Sequence, residues 1–213
     1  VLPRCVIYDP ELTLGLPWAI TVTSAFNAIA HAAEGLYAPD GNPVVALMAA
    51  EGIRASAAAL APLQNDARDL AARSDALYGA WLCGMVMGAT AMGLHHKLCH
   101  TLGGSFNLPH ADVHTVVLPH ALAYNAAAAP DALHSIGRAL GVGADEVPHT
   151  LQALARRYGH YWPAAKMLPP DAERDLLEAP RTALDRVRGW TKEADPLIAE
   201  LERHPGLIDN RNC

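Results

Sequence analysis

Two prolines and the runs behind them limit this chain's fold more than any other feature. Pro17 and Pro43 stand where a first helical residue loses nothing by lacking an N–H, and each precedes a long run with apolar residues at helical spacing. The first run, from Trp18 to Leu36, is ended by Gly35 and Pro39; the second reads "VVALMAAEGIRASAAALAPL". A third begins after Asn65 and carries "DALYGAWLCGMVMGATAMGL", so poor in charge that it is expected to be the buried central helix, with Met85 and Met87 in the core. "HHKLCHTL" reads as a short helix ended by Gly103 and Gly104, "SFNLP" as a loop, and "HADVHTVVLPHALAYN" as a helix bent near Pro119. "PDALHSIGRALG" adds a helix with Gly141 at its C-cap. The opening "RCVIYDP" is β-branched and stops at Pro10, which predicts an edge strand or connector. The fold is therefore expected to be all-α, apart from a strand or two near residues 1–8.

The 213 residues, 51% apolar and 18% charged, suit one main core. Charge is unevenly spread, for residues 145–213 hold 22 of the 38 charged side chains. That predicts a helical domain over residues 1–143 and a divergent helical tail over 144–213, in which "LQALARRYG", "DAERDLLEAPRTALDRVRG" and "DPLIAELERH" are amphipathic. A net charge of -6 without a basic stripe argues against nucleic acid. No uninterrupted apolar run reaches about 18 residues and no basic-then-apolar leader opens the sequence, so a soluble cytoplasmic protein is expected, with no membrane partner. Cys5, Cys83, Cys99 and Cys213 lie far apart without a CxxC pair, as reduced thiols would.

Histidine is dense in "GLHHKLCHTLGGSFNLPH", which holds His95, His96, His100 and His110. His96 and His100 share a helical face, and a Gly-Gly turn would fold His110 back toward them. Asn27 and His31 have the same spacing on the first helix, so the two helices can aim into one cleft. Imidazoles with an oxygen ligand suit Zn2+ or Fe2+, whereas most single helical histidines cap carbonyls or face solvent. Cys99 reads as a small buried hydrophobe, and Lys97 either as an anchor for an anionic substrate or as a solvated charge.

Taken in order and spacing, "DPELTLGLP", "NAIAHAAEGLYAP", "HHKLCHTLGG" and "LPHALAYN" resemble the C-terminal helical domain of iron-containing alcohol dehydrogenases, most nearly their maleylacetate reductase branch, over residues 1 to about 142. The resemblance implies a dehydroquinate-synthase-like helical domain, a preceding Rossmann-like domain, NADH or NADPH as cofactor, and an active site between the halves. This sequence carries no Gly-rich turn after a strand, so the Rossmann-like half is expected from the same gene or another chain. In metal-dependent relatives an Asp and three histidines bind the ion, at positions matching Asn27, His31, His96 and His110. Asn27 offers a neutral amide where those relatives have a carboxylate, so no tightly bound metal is expected, and Fe or Zn if any. The implied reaction is reduction of maleylacetate to 3-oxoadipate in aromatic-compound degradation, with His96, His100, His31 and His110 catalytic and Lys97 and Asn27 holding a small dicarboxylate. The isolated chain is expected to be inactive, and a homodimer is compatible with this reading. Two other readings are a metal-dependent alcohol dehydrogenase half that tolerates Asn27 and a catalytically silent helical assembly domain.

Overall fold

The structure, a computed structural model, describes residues 5–106 and 108–158. Among the described residues, seven α-helices follow a short 3-10 turn over Pro10–Thr13: α1 Trp18–Gly35, α2 Pro43–Asn65, α3 Leu70–Ala89, α4 Leu94–Phe106, α5 His110–Asn125, α6 Pro130–Leu140 and α7 Val147–Arg157. Residues 5–9 form no strand, and no strand occurs among the described residues, because an isolated β-branched run has no ladder partner here. The expected strand remnant is corrected to that extent; residues 1–4 lie outside the described residues.

Helix ends follow local chemistry. The Asn42 side chain accepts from the N–H groups of Val44 and Val45 at 3.0 and 3.1 Å, and Asp69 caps α3 through Ala71 and Ala72 at 2.9 and 3.0 Å. Gly141 closes α6 at a φ of 75°, a conformation in which a Cβ would be strained. Gly103 and Gly104 do not end the fourth helix as expected; α4 runs through both to Phe106, and the Leu108 N–H then bonds the Gly103 carbonyl at 3.2 Å.

The centre of the fold is α1. It contacts α2, α3 and α5 and buries Val22, Phe26, Ile29, Ala30, Ala32 and Ala33 completely. The expectation that the third helix is the most buried is overturned: α3 presents Tyr78, Trp81, Met85 and Met87 outward, each at least 40% exposed. Lack of charge fixed neither its burial nor the place of its methionines. The inner side of α3 is held close to α2 by glycine, since a Cβ on Gly79 would meet the Ser56 nitrogen at 2.7 Å and the Gly52 carbonyl at 3.1 Å. By length and composition α2 is apolar enough to cross a bilayer, but here it packs against α1, α3 and α6, which accounts for its apolar face.

The core continues past Gly143. Val147, Leu151, Ala155 and Tyr158 join the cluster built on α1, and the Trp18 indole N–H donates to the Tyr158 carbonyl at 3.3 Å. Helix α7 is therefore part of the same body. The segments expected to be helical beyond it, "DAERDLLEAPRTALDRVRG" and "DPLIAELERH", lie outside the described residues, as does Cys213. Cys5, Cys83 and Cys99 are free thiols.

Candidate active site

The site is built where the C-terminal half of α1 meets α4. Between α3 and α4 the chain bends by 97°, and the Asp40 carboxylate accepts the Ala91 N–H at 3.0 Å inside this corner. The first turn of α4 thereby faces Glu34. That carboxylate, 1% exposed, accepts the N–H groups of Gly93 at 2.9 Å, His95 at 2.7 Å and His96 at 3.4 Å, which are among the donors a helix start leaves unfilled. It also takes the His96 ring Nδ1–H at 2.6 Å and the Tyr37 hydroxyl at 3.3 Å. Burial and then Glu34 hold the Tyr37 phenol well above its ordinary range, so it stays a donor.

Glu34 thus fixes the His96 tautomer and turns Nε2 inward, where it is buried without a protein partner. Around it stand the other rings. His31 stacks on His96 with centroids 4.7 Å apart, His114 lies 4.8 Å and His100 6.2 Å from His96, and His110 is 4.2 Å from His114 and 5.8 Å from His100. His95 packs on the far side, its Nε2 3.0 Å from His114 Nδ1. The structure therefore brings His31, His96, His100 and His110 together as one contiguous set, with His100 and His110 on its exposed side.

Asn27 sits one turn before His31 on α1, its Oδ1 buried and without a protein partner. Lys97 is exposed on the flank of α4, near enough to His100 to help lower that ring's basicity after burial, His96 and His110. Sequence reasoning gave no role to Glu34 or His114, and named His95 in the histidine run without assigning it one. Glu34 is the one Asp, Glu, Lys or Arg of α1, one turn after His31, and His114 repeats the four-residue spacing from His110, but neither feature points to a partner on another helix.

Electrostatics keep much of the cluster neutral. Burial, then His96, brings His31 down to about 4, with Glu34 partly opposing; burial, then His96 and His110, brings His114 to about 3. His95 is pushed far below its usual value by burial and then His114. Such rings offer N–H donors and lone pairs in a dry setting, which suits stabilising a developing anion and moving a proton.

A tetrahedral or octahedral ion of the family type fits poorly. Asn27 supplies no charge, and His31 and His96 lie nearly parallel, 20° apart. Among the described residues, two triads bring donor atoms within 4.8 Å, His95–Cys99–His114 and His100–His110–His114; neither is the set His31, His96 and His110.

An all-helical domain with an imidazole cluster at the meeting of α1, α4 and α5 is the class of molecule so defined. The chain belongs to the Fe-containing alcohol dehydrogenase family, as its C-terminal domain, whose family model matches residues 21–163. It is 70% identical over 159 residues to a maleylacetate reductase of Burkholderia cepacia, covering 75% of this chain and 45% of the relative. A Pseudomonas knackmussii maleylacetate reductase is 61% identical over the same shares. Among solved structures, maleylacetate reductase from Rhizobium sp. strain MTP-10005 superposes with a TM-score of 0.73 at 49% identity, over 84% of this chain and 51% of that one. An iron-containing alcohol dehydrogenase from Corynebacterium glutamicum gives 0.70 at 37% identity, over 84% and 56%. The chain thus spans about half the length of these relatives.

Proposed function

We propose that this chain is the substrate- and proton-handling domain of an NAD(P)H-dependent maleylacetate reductase, an oxidoreductase of aromatic-compound degradation. The observation that carries the reading is the Glu34–His96 pair at the centre of a histidine cluster, in a chain that is 70% identical over 159 residues to a maleylacetate reductase. The nucleotide-binding half belongs to the part of the relatives this chain does not span.

Bound NAD(P)H would supply a hydride to one carbon of an alkene conjugated to a ketone. The residues here answer the two remaining needs. The ketone oxygen gains negative charge as the hydride arrives, and imidazole N–H groups of His31, His100 or His110 meet it from a cluster in which His31 stacks on His96 and His100 on His110. The other carbon needs a proton, which His96 can give from Nε2 as the imidazolium; Glu34 on Nδ1 would accommodate that charge, and the transfer returns the ring to the neutral Nδ1–H form. Lys97 and Asn27 hold the dicarboxylate, Lys97 from the exposed rim and Asn27 from within. No step calls on a metal. A reducing cytoplasmic setting belongs to the same reading and accords with the free thiols.

The test is reconstitution: this chain joined to a matching nucleotide domain, assayed for NADH and NADPH oxidation with maleylacetate after chelator treatment. Substrate-dependent turnover supports the proposal. Turnover that vanishes with chelator and returns with ferrous or zinc ion refutes the metal-free mechanism, and turnover of simple alcohols but not maleylacetate refutes the substrate.

A further inference from the structure

The guanidinium of Arg73 is carried into the fold without a counter-charge. The residue is 2% exposed; its Nε donates to the Ala67 carbonyl at 2.9 Å, its Nη1 to the Thr21 hydroxyl at 3.0 Å, and its Nη2 is buried with no protein partner. Asp66 and Asp69, in the turn it bonds, are taken up by the N–H groups of Arg68 and of Ala71 and Ala72, and Asp75 is exposed toward Arg54. Among the described residues Arg73 forms no ion pair. Arginine is rarely buried unpaired, because two neutral acceptors do not repay the loss of water around a full charge.

The place it reaches is positive as well. Thr21 belongs to the first turn of α1 and its hydroxyl leans back to the Pro17 carbonyl at 3.2 Å, so the guanidinium lies against the N-terminal end of that helix. Pro17 is the N-cap and supplies no capping side chain, and a helix start carries about half a unit of positive charge on its unfilled N–H groups. Two like charges here, one of them buried, call for an anion between them. We propose that Arg73 and the first turn of α1 form a binding site for one carboxylate group. One carboxylate oxygen accepts from Arg73 Nη2 and the other from the N–H groups of Trp18, Ala19 or Ile20. Thr21 precedes His31 by about 15 Å of helix rise, so this place is distinct from the histidine cluster.

Two sources offer that chemistry, the chain itself and a free carboxylate such as acetate. Tyr158 closes on the same corner: its ring packs edge-on against Trp18 at 5.6 Å, and its carbonyl takes the Trp18 indole N–H at 3.3 Å. The sequence that follows carries Asp171, Glu173, Asp175 and Glu178. The dozen or so residues between span up to roughly 40 Å when extended, ample for a carboxylate to return to α1.

The full chain is followed by urea denaturation with acetate added at constant ionic strength, together with the backbone amide resonances of Trp18, Ala19 and Ile20. If the carboxylate is free, the folded-to-unfolded ratio of the parent rises about ten-fold when acetate reaches about ten times its Kd, those resonances move with it, and Arg73→Met shows neither effect. If the carboxylate is the chain's own, acetate leaves the parent unchanged. Replacing Asp171, Glu173, Asp175 and Glu178 together by Asn and Gln then lowers the ratio at least about ten-fold, shifts the same resonances and confers a response to acetate, whereas in Arg73→Met the same replacement does nothing. Either pattern supports the site and identifies its source. An acetate response that Arg73→Met shares or that leaves those resonances still overturns the proposal. So does a parent that ignores both acetate and the quadruple replacement, or a replacement that costs Arg73→Met as much as the parent: Arg73 then only ties α1 to the turn before α3. The amide resonances need no Arg73 variant and decide the matter even where Arg73→Met fails to fold.

Discussion

The Glu34 carboxylate and the Nδ1 of His96 stand 2.6 Å apart, both side chains buried, and the same carboxylate holds the first turn of α4 through three N–H groups. One side chain therefore sets both where α4 begins and which edge of His96 faces the cluster. The ring is oriented by the same contact that caps its helix.

Replacing Glu34 should expose that double duty. Glu34→Ala leaves buried donors unpaired and should lower the unfolding free energy by about 3–5 kcal/mol, read from urea denaturation. Glu34→Gln keeps the shape and one acceptor, so a smaller loss of about 1–3 kcal/mol is expected. A Glu34→Ala protein as stable as its parent would show that water replaces the carboxylate and that the cap is dispensable.

How far this arrangement could be read beforehand depends on the range of the contact involved. Placement within one helix was legible: Asn27 one turn from His31, His96 one turn from His100, and Gly141 as a C-cap follow from spacing and from the φ a turn demands. Contacts across helices were not. Glu34 is 62 residues from His96, and nothing local distinguishes a carboxylate that caps a distant helix from one in solvent. The spacing of His114 from His110 was on view, but its partner His95 is on another helix, so its place in the cluster was not. The outward face of α3 misled because Tyr78, Trp81, Met85 and Met87 are apolar yet exposed, so hydropathy alone read as burial. Gly103 and Gly104 read as a stop, yet a glycine inside a helix costs only about 1 kcal/mol, and neither adopts the left-handed conformation that Gly141 uses to end α6.

Acid should destabilise the fold through its buried imidazoles. Unfolded histidine titrates near 6.5, whereas folded His31 and His114 are held to about 4 and about 3. Between those limits the unfolded chain binds more protons, so the unfolding free energy falls as pH drops from about 6.5 toward 3 and, for these two groups, is flat above about 7. Urea midpoints at pH 7 and pH 5, in chelator-treated buffer, should show the loss, and His114→Gln should reduce its slope. A pH-independent midpoint would mean that the rings are hydrated.

Glycine substitutions should divide by location. A Cβ on Gly79 meets the backbone of Ser56 and Gly52, so Gly79→Ala should force α2 and α3 apart and destabilise by about 1–3 kcal/mol. Gly88 is exposed on α3 with open space around it, and Gly88→Ala should stabilise by up to about 1 kcal/mol through helix propensity. Thermal melts of the two variants should move in opposite directions; equal shifts would contradict the close approach of α2 and α3.

The proton donor is assigned by contrast among neighbours in the reconstituted enzyme. His96 is buried, carries Glu34 on Nδ1, and keeps a partnerless Nε2 facing His31 and His114, while His100 and His110 line the exposed side. Loss of one general acid typically lowers the rate about 100- to 10,000-fold, so His96→Ala should reduce kcat by at least about two orders of magnitude. Asn27→Ala, which removes a positioning contact, should act chiefly on KM. Glu34→Gln should lower kcat less than His96→Ala and shift its pH profile, because the ring stays while its orienting charge is gone. Those signatures separate proton delivery from plain structural damage, which would lower activity without moving the profile. If His96→Ala turns over nearly as fast as the parent, the proton comes from the exposed side instead, and His100→Ala should then carry the loss.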